Sequence, residues 1–127
     1  ANIGDSRLYL LDKDTIRQIT LDHSLVEELI RTGQLDPLKV RNHPEKNIIT
    51  RALGVSEEAI PDFFELELHM EERVLMCSDG LSNMVEDDEL LNIVMEADTP
   101  KAAVERLIER ANYYGGKDNI AALVAVQ

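Results

Sequence analysis

An α+β fold is predicted by three features of the sequence: a strand-turn-strand pattern near its start, two helical stripes in its second half, and two apolar runs bracketing those helices. Leu8-Tyr9-Leu10-Leu11 and Ile16 to Thr20 flank Asp12-Lys13-Asp14, a polar turn that makes the pair a β-hairpin. Ser24-Leu25-Val26-Glu27 then has the Ser-x-x-Glu form of a capping box, with Leu25, Leu29 and Ile30 along one stripe and Gly33 placed to end the helix. Asp36-Pro37 predicts a second, shorter helix, inside a polar stretch broken by Pro37 and Pro44 that is expected at the surface. From Phe63 the residues alternate, Phe64, Leu66, Leu68 and Met70 against Glu65, Glu67 and His69, which predicts a half-buried strand with His69 exposed. The unbroken apolar run in Arg73 to Ser78 predicts a strand covered on both faces, and Ile120 to Val126 a last buried strand. Between them Leu90, Ile93, Val94 and Ala97, then Val104, Leu107, Ile108 and Ala111, keep the spacing of two amphipathic helices. Thr99-Pro100 caps the second and Gly115-Gly116 ends it.

A chain of 127 residues, 44% apolar, is sized for one globular domain that buries about two-thirds of its unfolded surface. Its apolar runs fall far short of the roughly 18 residues a membrane span needs. Thirteen basic residues against 25 acidic ones give a net charge of -12, which repels nucleic acid and anionic lipid and excludes both as partners. The same charge repels a phosphorylated substrate unless bound cations reverse the local field. A lone cysteine, Cys77, sits in an apolar run, so a buried thiol is expected; with no secretory leader the chain reads as cytoplasmic. It opens at Ala1 directly inside a motif, as a fragment does.

Three aspartates sit in similar settings at strand ends: Gly4-Asp5-Ser6-Arg7, Ser78-Asp79-Gly80-Leu81 and Gly116-Lys117-Asp118-Asn119. If those strands are neighbours, the carboxylates converge, and oxygen donors of this kind suit octahedral Mg²⁺ or Mn²⁺. Aspartates that merely cap turns give the same local pattern.

Five ordered motifs carry a resemblance: Ala1-Asn2-Ile3-Gly4-Asp5-Ser6-Arg7, Asp22-His23-Ser24-Leu25-Val26, Asn47-x-Ile49-Thr50-Arg51-Ala52-Leu53-Gly54, Cys77-Ser78-Asp79-Gly80-Leu81 and Gly115-Gly116-x-Asp118-Asn119-Ile120. From Ala1 to the last strand the chain resembles the C-terminal portion of the protein phosphatase 2C (PPM) family in its bacterial, serine/threonine-specific form. The resemblance implies part of an αββα sandwich, two mostly antiparallel sheets flanked by helices with a metal centre at one edge. It implies that Asp79 and Asp118 hold the first of two or three Mn²⁺ or Mg²⁺ ions, and Asp5 with Asp79 a weaker third. Asn83 stands where some members carry a further acidic ligand. Asn119 is expected to hold its turn, and Arg7 to support the strand by an ion pair, or to aid substrate or orient Asp5. Residues 23–53 match a flap beside the site that influences substrate choice, with His23, Ser24 and Arg51 in it; His23 is expected to make structural hydrogen bonds and His43 to be plain surface.

The activity implied is hydrolysis of phosphoserine and phosphothreonine in proteins by a hydroxide that bridges two ions, with no covalent intermediate. No Cys-x5-Arg nucleophile motif contradicts this. The partners implied are phosphoproteins, a cognate serine/threonine kinase and its substrates. The family's phosphate-holding arginine, Glu-Asp pair and metal-bridging Asp-Gly belong to its N-terminal half and are not found in these 127 residues. The expectation is therefore a C-terminal part of a single catalytic domain, inactive alone. The alternatives are a non-catalytic, phosphatase-like interaction module, or a piece whose exposed sheet edges pair with another copy.

Overall fold

Four antiparallel strands run in the order β2, β1, β3, β4, where β1 is Arg7–Leu11, β2 Ile16–Gln18, β3 Arg73–Cys77 and β4 Ala122–Val126. The computed structural model describes all 127 residues and divides into two units, residues 1–6 with 21–64 and residues 7–20 with 65–127. The sheet belongs to the second. Its mixture of helices with an antiparallel sheet is the α+β class expected.

The hairpin forms because the Asp12 carboxylate closes the turn, accepting the N–H groups of Asp14 (2.9 Å) and Thr15 (2.8 Å) and the Thr15 hydroxyl (2.9 Å). That closure sets the register Leu11 to Ile16. In β1 and β3, Tyr9, Leu11, Leu75 and Cys77 point to one face and meet Leu81, Val85, Leu90, Val94, Leu107 and Ala111 in the core. These last come from α2 (Asp79–Ser82), α3 (Asp87–Glu96), α4 (Pro100–Tyr113) and the turn after α2. Burial pushes the Tyr9 phenol well above its ordinary range, and Arg7 Nη1 donates to its oxygen at 2.9 Å. Thr99 Oγ1 accepts the Ala102 N–H at 3.1 Å and Pro100 follows it, so α4 starts where its cap predicts. Arg73 caps the other helix by donating to the Val94 and Ala97 carbonyls, which α3 leaves without intrahelical partners. Cys77 is a buried free thiol, as expected.

Two strand expectations are not met within these 127 residues. β3 and β4 are covered on one face only: Leu75 is fully buried, whereas Met76 is 47% and Leu123 53% exposed. An unbroken apolar run tells that both faces are apolar, and here the unit's helices cover one of them. Residues 63–70 form no strand: Leu66 and Leu68 are half-buried, but Phe63 and Met70 are 80% and 83% exposed and the segment makes no ladder. Alternation alone specifies an extended segment, and a strand also needs a neighbour to accept its hydrogen bonds.

In the first unit α1 (Leu25–Arg31) is capped by Ser24, whose Oγ accepts the Glu27 N–H at 3.3 Å, and Gly33 follows with φ +74°. Asp36 caps a 3₁₀ helix over Pro37–Asn42. His43 lies in the polar stretch that follows, half-buried, and its Nδ1 accepts the Glu45 N–H at 3.2 Å, a local turn contact. No helix is long and apolar enough to cross a membrane.

Candidate active site

β3 ends at Cys77, and the chain passes through Ser78 into the single turn of α2, which Asp79 opens. Ser78 ties this turn to the segment leading into β4. Its N–H donates to the Ala121 carbonyl at 3.0 Å, its Oγ accepts the Ala121 N–H at 3.0 Å, and the same hydroxyl donates to the Asn119 carbonyl at 3.2 Å. Gly80 lies directly against that segment: a β-carbon there would stand 2.1 Å from the Asn119 oxygen and 3.5 Å from the Asp118 β-carbon. Only a glycine permits such an approach. Asp79 and Asp118 are thereby brought to the same end of β3 and β4, as the strand-end pattern requires.

Asp79 is half-buried and Asp118 exposed. Asn83 Nδ2 reaches Asp79 Oδ2 at 3.5 Å, and Asp118 Oδ1 accepts the backbone N–H of Asn119 at 2.7 Å. Nowhere do three or more His, Cys, Asp or Glu side chains gather into a group that could hold a metal ion. The donors at this edge therefore fit a hard divalent cation in kind, since both are carboxylates beside closely packed backbone. In number they fall short of the six oxygens Mg²⁺ takes, and waters or other residues would have to complete the set. Asp5 lies half-buried in the first unit, while Arg7 opens β1 in the second.

In the segment expected to be a flap, His23 is 5% exposed and gathers hydrogen-bond partners around it. Its Nδ1 accepts the Gly4 N–H at 3.1 Å, so the ring proton sits on Nε2 and is donated to Asp62 Oδ2 at 2.9 Å. Arg51 Nη1 donates to Asp62 Oδ1 at 3.0 Å; it also stands 3.3 Å from His23 Nε2, a contact between two donors that share one carboxylate. The structural role expected of His23 holds. Asp62 was not legible in the sequence: it is 39 positions from His23, after Pro61, in no motif.

Asp62 gives a pH test. The hydrogen bond from His23 first, then Arg51, holds its carboxyl below the ordinary value of 3.8. A depressed pKa stabilises the fold above the unfolded value and ceases to do so as pH falls through the folded one. The stability difference between wild type and Asp62→Asn is thus expected to be full near neutral pH and to shrink below about pH 4. Urea unfolding at several pH values measures it, and a difference that grows on acidification contradicts the assignment.

The protein phosphatase 2C family model matches residues 1–120, and the chain belongs to that family. Among its relatives is the serine/threonine phosphatase stp of Listeria innocua, 47% identical over 124 residues that make up 98% of this chain and 49% of the relative. The serine/threonine phosphatase of S. agalactiae superposes with a TM-score of 0.92 at 37% identity, over 100% of this chain and 53% of that one. The catalytic domain of the serine/threonine protein phosphatase PstP, solved in complex with two manganese ions, matches with a TM-score of 0.82 at 37% identity, over 96% of this chain and 50% of that one. The chain spans about half the length of the curated relatives it matches.

Proposed function

We propose that the whole protein to which this chain belongs removes phosphate from phosphoserine and phosphothreonine in proteins, in the cytoplasm and in opposition to a serine/threonine kinase, using Mn²⁺ or Mg²⁺. The observation that carries this reading is the contact of Gly80 with Asn119, which places Asp79 and Asp118 at one sheet end in a chain of this family. Cations bound there would supply the positive charge that a chain of net charge -12 needs to receive a phosphate ester, and would activate water for attack. Asp79 and Asp118 hold the first ion, and Asp5 is a ligand of a weaker third. The Asn83 amide steadies Oδ2 of Asp79, and Ser78 keeps the two aspartate turns from separating. Residues 23–53, with His23, Ser24 and Arg51, are a flap that influences substrate choice.

The 127 residues are proposed to be the C-terminal part of one catalytic domain with only part of the site, because the relatives are about twice as long and the carboxylates found here are too few. The experiment is a phosphopeptide assay in millimolar Mn²⁺ on the whole protein, on this chain alone, and on this chain mixed with the separately made other half. The whole protein is expected to turn over and to stop in excess EDTA; this chain alone is expected to be silent and the mixture active. Undiminished turnover in EDTA removes the metal mechanism. Activity of this chain alone, lost in Asp79→Asn, removes the partial-site reading.

A further inference from the structure

Both polar groups of the Gly4 backbone are taken by His23. The His23 N–H donates to the Gly4 carbonyl at 2.9 Å, and the Gly4 N–H donates to the ring Nδ1 at 3.1 Å. That carbonyl is part of the peptide that begins Asp5. Gly4 has φ +108°, a conformation that a residue with a β-carbon rarely adopts, so the direction in which the chain leaves toward Asp5 is set by a backbone that would not hold itself. The ring is held in turn. Asp62 receives its Nε2 proton, receives Arg51 on its other oxygen, and pairs through its own backbone with Asn2 at 2.8 and 3.0 Å. The segment entering Asp5 is thus gripped at Asn2 and Gly4 by two residues that also bond each other, and the ring is buried, so losing a partner there is costly.

From this geometry we infer that His23 is a positioning residue for Asp5, acting through Gly4, with Asp62 and Arg51 fixing the ring that does it. The inference rests on the proposed role of Asp5 as a ligand of the weaker ion. It assigns His23 neither proton transfer nor contact with substrate. Groups that orient a metal ligand matter without being ligands themselves: their loss commonly weakens metal binding about 10- to 100-fold without removing a donor.

Two substitutions separate positioning from mere stapling of a loop. His23→Asn puts an amide oxygen near the place of Nδ1 and gives up Asp62; His23→Gln puts its amide near Nε2 and gives up Gly4. The measurements, on the whole protein, are hydrogen exchange of the Gly4 amide and a Mn²⁺ titration resolving the weakest ion, with Asp5→Asn as reference. His23→Asn is expected to keep Gly4 protected and the weakest Mn²⁺ affinity within about twofold, whereas His23→Gln exposes Gly4 and weakens that ion about tenfold. Wild-type protection of Gly4 in His23→Gln overturns the inference. So does lost protection with unchanged Mn²⁺ affinity, where Asp5→Asn does weaken the ion. If Asp5→Asn alters no Mn²⁺ affinity, the metal role of Asp5 fails first and the inference falls with it, by a recognisably different result. The wild-type protein supplies a check that needs no variant to fold: ¹H–¹⁵N spectra are expected to show His23 as the Nε2–H tautomer, and the Nδ1–H tautomer overturns the grip on Gly4.

Discussion

Asp79→Asn and Asp118→Asn in the whole protein are expected to lower kcat/KM about 10² to 10³-fold each, roughly 3 to 4 kcal/mol of transition-state stabilisation. Both carboxylates stand at the end of β3 and β4, where their charge would hold the ion next to the reacting phosphate. An amide keeps the shape and one oxygen donor of the carboxylate but none of its charge, so fold and substrate affinity are expected to change little while turnover collapses. Asp5→Asn at saturating metal is expected to cost less than about tenfold, because that residue is proposed to serve only the weaker ion. Steady-state kinetics across a Mn²⁺ series measures the order of the three. Near-normal turnover of Asp79→Asn would remove the assignment of the site even with the family correct.

Gly80→Ala is expected to be the most damaging small substitution in the second unit. The added methyl would stand 2.1 Å from the Asn119 carbonyl oxygen, which is backbone and cannot rotate aside. That backbone is tied on the same side by the Ser78 hydroxyl, so relief requires moving the strand entry that carries Asp118. Overpacking of this kind costs about 1 to 3 kcal/mol and occasionally more, and the upper end is expected because no side chain can absorb the clash. Activity should fall further than stability, since the displacement separates Asp79 from Asp118. Gly33→Ala is the control. Nothing lies within 4 Å of its added carbon, and only φ +74° opposes it, a cost of about 1 to 2 kcal/mol with unchanged turnover. Urea unfolding with parallel kinetics compares them; equal effects on activity would show that the Gly80 contact does not position the site.

What the sequence determined by itself was everything governed by neighbours within a few positions. Asp12 closes its hairpin because its carboxylate reaches the N–H groups two and three residues on. Ser24 and Thr99 start helices by the same short reach, and the stripes of α3 and α4 follow from helical periodicity. The ordered motifs named the family, because they preserve the chemistry of strand ends in the right succession. The tertiary structure alone decided what depends on distant chain segments meeting. Within these 127 residues it left 63–70 without a ladder, since alternation cannot supply a neighbouring strand, and it laid the helices on one face of β3. It brought Asp62 to His23 across 39 positions and laid Gly80 against Asn119 across the sheet end. Neither contact leaves a local trace, because a hydrogen-bond partner or a close backbone approach is selected by the path of the chain, and many paths are compatible with the same residues in order.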